Sequence, residues 1–397
     1  MKKKIILLLS LIFLLSGCWD KRELNELAIM MALGIDKSDD GYKIIAQVAV
    51  PAELSSKGGP GHSQIVLFQS TGKTVEDALR KLTKEVPRII YLGHLQMLIF
   101  GESLAKEGIG KALDFMSRNW EVRADYYVVI AKDNTAENIL NIQTPLDNLP
   151  SNYMFNTLKI AEENNSTTVG IKLSDFIGDL ERRGKEPVLT GILITGDEKS
   201  GSSRQNLESI SSPARIKYDG LAIFKEDKLI GWLDEYYSRG YNSITNHVKR
   251  AISTISCPKE GEGEITMEIE NFQSKVTGKT LNSSPAIEIK IEVIANVGAL
   301  ECFIDVKKEK TIKEIEKIFE KEIKDNIDNT IKTIQNDFKS DVLGFGATMY
   351  KHDPKEWKKI KDNWEEEFPN LQVKIDVNVK IEHLGAVDNS FLQNMKD

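Results

Sequence analysis

The sequence predicts an α+β protein built from two structural regions. Between residues 18 and 195, apolar strand-like runs alternate with helix-like segments, which favours a mixed sheet covered by helices. Beyond residue 213, several segments alternate apolar and polar residues with a period of two, and one long segment has apolar residues every three or four positions. We therefore expect an N-terminal mixed α/β region followed by a C-terminal antiparallel sheet packed on a long helix.

The first 18 residues predict export and lipid attachment. Three lysines precede the almost wholly apolar run from Ile5 to Leu15. This run is too short for the roughly 20 helical residues that cross a bilayer, so residues 1–17 indicate a secretory signal peptide. Leu15-Ser16-Gly17-Cys18 is typical of a bacterial lipobox, and Cys18 is the predicted attachment site of a diacylglyceryl group. A soluble secreted protein with an incidental cysteine is the alternative.

The charge balance restricts the possible partners. The chain carries 53 basic and 60 acidic residues, a net charge of −7, and removal of the three signal lysines leaves −10. An acidic protein is a poor ligand for nucleic acid, and it is not attracted by charge to anionic lipid. We expect no nucleic-acid partner and a membrane association that depends on the lipid at Cys18.

Two cysteines follow Cys18, namely Cys257 and Cys302. They form neither a disulfide framework nor a zinc-ligand pattern. The two could pair outside the cell, but two small core residues are the simpler interpretation.

The N-terminal region opens with a predicted hairpin. Ala28 to Ile35 and Tyr42 to Val50 are strand-like and flank a polar turn. In that turn Asp36, Ser38 and Asp40 partly mimic a calcium loop, but the twelfth position lacks the bidentate glutamate. We favour an ordinary turn, since Asp and Gly are typical turn residues.

Strands and helices then alternate up to residue 195. The predicted strands are Ile65 to Phe68, His94 to Phe100, Tyr126 to Ala131 and Val188 to Thr195. The predicted helices are Val75 to Glu85 with Thr74 as its N-cap, Glu102 to Trp120, pieces of Asn134 to Asn164, and Ser174 to about Arg183. Residues 196–213 contain almost nothing apolar, so they are predicted to be a linker.

Residues 214–397 form the predicted C-terminal α+β domain. It begins with a hairpin of Gly220 to Phe224 and Lys228 to Leu233. Period-two alternation around Ile265, around Ile287 and from Leu371 to Ile381 predicts antiparallel strands with one wet face. Lys308 to Lys339 carries one apolar stripe along its length, which is typical of a core helix; a free partner-binding face is the alternative.

Motifs spread over the whole chain resemble those of the Ger(x)C family of spore germination lipoproteins. They are Gly17-Cys18-Trp19-Asp20, Arg22-Glu23-Leu24, Gly34-Ile35-Asp36, Leu92-Gly93-His94-Leu95, Gly101-Glu102, Gly108-Ile109, Arg123, the Phe224 to Gly231 hairpin, Asp341 to Tyr350, Pro354, Trp357, Trp364, Phe368-Pro369 and Gly385.

The resemblance implies a function and a location. Members of the family are C subunits of nutrient germinant receptors, attached by lipid to the outer face of the spore inner membrane beside integral-membrane A and B subunits. It also implies a three-domain α+β protein, in which residues 18–195 would divide into two subdomains. No catalytic residue, metal site or cofactor is implied.

Two rival functions are a solute-binding lipoprotein and a lipid-anchored wall hydrolase. The five histidines include no H-E-x-x-H pair, and no serine stands in G-x-S-x-G, so the hydrolase has little support. A solute-binding protein usually has two similar lobes with parallel sheets, unlike the second half of this chain. His94 is either a contact residue or a structural histidine at the start of a strand.

Overall fold

The computed structural model describes residues 23–50, 64–259, 263–281 and 284–384. In these ranges the chain forms two sheets, which confirms the predicted α+β class with a large N-terminal sheet and a separate C-terminal sheet on a long helix. None of the helices in the described ranges has the length and apolar content that crossing a bilayer requires.

The first sheet contains nine strands of the described chain, in the order β3-β2-β1-β5-β6-β7-β8-β9, with β4 beside β1. Their bounds are β1 Leu27–Ser38, β2 Gly41–Ala49, β3 Ile65–Gly72, β4 Ile89–Tyr91, β5 Met97–Gly101, β6 Tyr127–Ala131, β7 Val188–Gly196, β8 Ala214–Lys225 and β9 Lys228–Leu233. The strands β1, β5, β6 and β7 pair in parallel, and the hairpins at both sides are antiparallel. The predicted first hairpin is present, with Ser38 paired to Gly41.

Helices cover both faces of this sheet. They are α1 Val75–Leu82, α2 Glu102–Glu107, α3 Gly110–Arg118, α4 Ala136–Asn141, α5 Pro150–Asn164, α6 Leu173–Glu181, α7 Glu198–Gly201 and α8 Gln205–Glu208. Thr74 caps α1 as predicted, since its hydroxyl accepts from the Asp77 amide. The single helix expected from Glu102 to Trp120 is divided at Gly108, whose φ of 127° lies outside the helical region.

The predicted linker at residues 196–213 is wrong. These residues join β7 to β8, which pair with each other, and they contain α7 and α8. Asn206 is fully buried, where its side chain donates to Gln143 O and accepts from Ala214 N. A few well-placed hydrogen bonds therefore order a segment that has little apolar surface. The hairpin of β8 and β9, assigned from the sequence to the second domain, completes the first sheet.

The second sheet has the order β10-β11-β12-β13 and lies beside a long helix. Its elements are α9 Glu235–Ile244, β10 Ala251–Ser256, β11 Glu264–Leu281, β12 Ser284–Leu300, α10 Glu309–Thr333, α11 Phe345–His352, α12 Pro354–Ile360, α13 Trp364–Glu367 and β13 Gln372–His383. The predicted stripe on α10 is core, since Ile315, Phe319 and Ile327 are fully buried.

The last strand differs from the prediction, because β13 pairs with β12 in parallel. Alternation reports that one face of a strand is buried, and its association with antiparallel pairing is a tendency that this strand does not follow. Between β12 and β13 the chain passes through α10, and a helical crossover of this kind returns the next strand in the same direction.

Cys257 and Cys302 form a disulfide, with their Cα atoms 5.8 Å apart. The simpler interpretation as two separate core residues is therefore wrong. The bond ties the end of β10 to the segment between β12 and α10.

Candidate interaction sites and the sheet junction

The predicted lipid attachment site, Cys18, lies outside the described residues. The described chain begins five positions later at Glu23, passes through the 3-10 turn Leu24–Glu26 and enters β1. Five residues span at most about 17 Å, so a lipid on Cys18 would be held close to the start of β1.

Asp36 fixes the start of a helix. Its carboxylate is buried and accepts hydrogen bonds from the amides of Ala136 (2.8 Å) and Glu137 (3.0 Å) at the start of α4. A Cβ at Gly101 would lie 2.1 Å from Asp36 Oδ1, which explains the glycine there. Burial raises the pKa of Asp36, and the two amide bonds act in the opposite direction. The described residues contain no group of three His, Cys, Asp or Glu side chains able to hold a metal ion.

Asp227 joins the β8–β9 turn to the break between α2 and α3. Its carboxylate accepts from Gly110 N at 2.9 Å, and its carbonyl oxygen accepts from Ile109 N at 3.0 Å. A Cβ at Gly108 or at Gly110 would lie 2.7 Å from Asp227 Oδ2. The Gly108-Ile109 motif and the Asp227 hairpin, far apart in sequence, therefore form one contact.

Asp341 is the centre of the contact between the two sheets. Its Oδ1 accepts from Phe345 N (2.9 Å), and its Oδ2 accepts from Gly346 N (2.7 Å) and from Trp364 Nε1 (3.0 Å). Burial raises the pKa of Asp341 to about 6, against the opposing effect of these donors. With a pKa of about 6 the carboxyl is mostly ionised at neutral pH, and in that form both of its oxygens can accept from all three donors.

Around Asp341 the C-terminal segment contacts both a strand of the first sheet and the connection that leads into β7. Ala347 N donates to Gly184 O at 2.9 Å, and Ser340 Oγ donates to Phe224 O at 2.6 Å. Trp357 and Trp364 pack edge to face with ring centroids 5.2 Å apart. We call Gly184, Asp341, Gly346, Trp357 and Trp364 the sheet junction.

His94, the histidine left open by the sequence, is exposed. Its ring packs against the edge of Tyr91 with centroids 5.7 Å apart. It therefore belongs to the protein surface and not to the core.

Three surface depressions are candidates for partner contacts. A cleft of about 840 Å³ lies beside the chain entry at Asn25 and Glu26. A second, of about 710 Å³, is lined by Lys37, Lys73 and Lys111 among others. The third, of about 360 Å³, has the exposed Leu146 and Ile210 in its lining.

Comparison with known proteins assigns the family. The model of the spore germination protein N-terminal domain matches residues 20–194, and the model described as spore germination B3/GerAC like, C-terminal, matches residues 219–385. This chain belongs to the Ger(x)C family of spore germination proteins.

Relatives match this family member over nearly its whole length. Spore germination protein KC of Bacillus subtilis (strain 168) is 32% identical, with 99% of this chain and 98% of that protein covered. Spore germination protein A3 of the same organism is 27% identical, over 97% and 99% respectively. The crystal structure of the GerBC protein shares the fold, with a TM-score of 0.57 at 20% identity over 88% of this chain and 96% of that one.

Several of the motif residues that carry the family resemblance make contacts that hold the described fold together. Asp36, Gly101, Gly108, Asp227 and the sheet junction hold segments together. The exposed apolar residues Trp120, Leu146 and Ile210 were not singled out from the sequence, since no local pattern distinguishes an exposed apolar residue from a buried one.

Proposed function

We propose that this protein is the lipid-anchored, non-catalytic C subunit of a nutrient germinant receptor. The observation that carries the proposal is the end-to-end match to spore germination proteins, over both family models and nearly the full length of each relative. The lipobox at Cys18 supports lipid attachment at the outer face of the spore inner membrane.

The proposed subunit acts through protein contacts with the integral-membrane A and B subunits. The sheet junction supports this role, because it fixes the C-terminal helices to the first sheet by hydrogen bonds from both sides. The two sheets are thereby held as one body, so a partner bound at one sheet is positioned relative to the other. Such a role requires neither a metal nor a cofactor.

Deletion of the gene tests the receptor function. Spores of a strain without other receptors of this class should lose germination in response to the corresponding nutrient, while triggers that bypass receptors should still act. Normal nutrient germination in that strain would contradict the proposal.

The same deletion tests the rival function, a solute-binding lipoprotein. That function predicts impaired uptake of one compound in growing cells and calorimetric binding of the compound to the purified protein. The two sheets differ in strand number and direction, unlike the paired lobes of such proteins. An uptake defect with normal germination would favour the rival.

Substitution of Cys18 tests the anchor. Cys18→Ala should leave the protein unlipidated and, in a strain that lacks the partner subunits, should move it out of the membrane fraction, since its acidic body has no charge attraction to anionic lipid. Retention in the membrane after a high-salt wash in that strain would contradict lipid attachment at Cys18. A strain that contains the partner subunits serves as the control, because contacts with those subunits alone can retain the variant at the membrane.

A further inference from the structure

Trp120 is presented to solvent by a hydrogen-bonded turn. The turn follows α3, and Asn119 fixes it by accepting from Val122 N (3.1 Å) through its carbonyl and from Glu121 N (3.0 Å) through its side chain. The Trp120 residue is 86% exposed. A large aromatic side chain held outward in this way contributes little to the core, so it is available for a contact outside the protein.

The exposed indole lies on the side where the chain enters the fold. Leu27, the first residue of β1, pairs with Ile89 in the parallel β1–β4 ladder, and Ile89 is itself 47% exposed. Asn25 and Glu26 line the 840 Å³ cleft together with Ile89 and with both sequence neighbours of Trp120. Ile89, the chain entry and both sequence neighbours of Trp120 therefore border one cleft, which places Trp120 next to it.

The chain outside the described residues sets the distance to the bilayer. Glu23 follows Cys18 by five positions, so a lipid on Cys18 lies at most about 17 Å from the described chain. A tether this short keeps the surface around the chain entry near the headgroup layer.

The side chains on this surface suit a lipid interface. Tryptophan combines an apolar ring with one N–H donor and is enriched at the headgroup level of membranes. Arg88, which is exposed beside Ile89, has an apolar stem and a guanidinium able to bind lipid phosphate. Because the mature chain is acidic, such a contact depends on the insertion of apolar side chains more than on net charge.

We propose that Trp120, Ile89 and Arg88 form a membrane-facing surface, with the Trp120 indole in the lipid headgroup layer. The proposal rests on the lipid attachment proposed for Cys18. The lipid supplies most of the affinity, and this surface fixes the orientation in which the subunit meets its membrane partners.

Site-specific labelling tests the surface in the lipidated protein. Cys257 and Cys302 are joined in the disulfide and Cys18 carries the lipid, so Trp120→Cys introduces one free thiol for an environment-sensitive fluorophore. The matched control is Tyr350→Cys on α11, which contacts the second sheet; Tyr350 is 64% exposed. Each labelled protein is reconstituted into phosphatidylglycerol vesicles that carry a headgroup nitroxide quencher.

The label at position 120 should lose fluorescence in the quencher vesicles, and the label at position 350 should not. A label at Ile89→Cys should be quenched like the label at Trp120→Cys, and agreement between the two sites shows that the quenching is not caused by one substitution alone.

Equal quenching at 120 and 350 in vesicle-bound protein would overturn the membrane-facing surface while leaving the anchor intact. No quenching at 120 in vesicle-bound protein, with or without the partner subunits, would likewise overturn the lipid contact. Failure to sediment with vesicles would contradict the lipid attachment itself, and the proposal with it.

Discussion

At Gly346 two backbone segments of the sheet junction come into direct contact. A Cβ there would lie 2.7 Å from Gly184 Cα and 2.8 Å from both indole rings of the junction. Gly184 has a φ of 74°, so neither glycine can be replaced without strain or displacement. The two residues therefore determine how closely the C-terminal helices approach the first sheet.

Gly346→Ala should lower the free energy of unfolding by about 2 kcal/mol, because the added methyl group overpacks a buried contact. The matched control is Gly178→Ala in α6, where a Cβ would meet nothing within 4 Å. That substitution should be neutral or stabilise by about 0.5 kcal/mol through helix propensity. Chemical denaturation of both variants measures the difference. Equal stabilities would contradict the tight contact at Gly346.

Asp341→Asn should also destabilise the protein. Both carboxylate oxygens accept from N–H donors, so an amide nitrogen would face at least one donor and leave it unpaired, at a cost of about 1–3 kcal/mol. Denaturation at pH 7 measures this cost.

The stability of the wild type should also depend on pH through Asp341. Its pKa is raised from 3.8 to about 6 in the fold. Between these values the folded protein holds a proton that the unfolded chain releases, so this contribution is fully present below about pH 4 and is lost as pH rises through 6. The difference between the two pKa values corresponds to about 3 kcal/mol in the free energy of unfolding. Wild type should therefore exceed Asp341→Asn in stability by more at pH 4 than at pH 7, and parallel pH profiles would contradict this role.

Among the elements, β13 is an edge strand whose free side is covered by the long helix. Glu320 accepts from Val379 N at 3.1 Å, and Glu316 accepts from Ile381 N at 3.0 Å. One turn of α10 thus supplies two acceptors to the edge. An edge strand with unpaired amides is prone to pair with another chain, so these glutamates protect the monomer.

Replacing both Glu316 and Glu320 by Ala should cost about 2 kcal/mol and promote self-association, since two backbone donors lose charged acceptors. The corresponding double Gln variant keeps an acceptor at each position and should stay near wild type. Glu314→Ala, at an exposed position of the same helix, is the control for helix propensity. Sedimentation velocity and denaturation measure both effects. A stable, monomeric double Ala variant would show that the edge needs no cover.

At the scale of the whole molecule, the two sheets share one core. A single cluster of buried apolar residues in the described chain runs from Ala28 in β1 to Val379 in β13, and the sheet junction adds hydrogen bonds across it. Contacts of this extent favour cooperative unfolding of both sheets together.

Calorimetry should therefore record one unfolding transition for a protein that comprises residues 19–397. A fragment that ends at residue 195 should not fold cooperatively, because β7 would lose its antiparallel partner β8. A fragment that ends after Leu233 keeps all strands of the first sheet and is the matched comparison. Two separate transitions in the full chain would contradict the shared core.

The sequence by itself determined the fold class, the family and most of the elements. The apolar stripe of α10, the alternation of the last strand and the N-cap at Thr74 are local patterns, and each depends on residues a few positions apart. The lipobox at Cys18 is a local pattern too, and the attachment it predicts stays a prediction.

Only the tertiary structure decided which segments become neighbours. In the structure, β8 and β9 belong to the first sheet, and β13 runs parallel to β12. Cys257 is bonded to Cys302, and Trp120 is exposed. The periodicity of a segment shows that one of its faces is buried. The residues that cover that face lie far away in the sequence, so the segment itself does not identify them. Strand partners, disulfides and exposed side chains follow from that long-range packing, so no local pattern contains them.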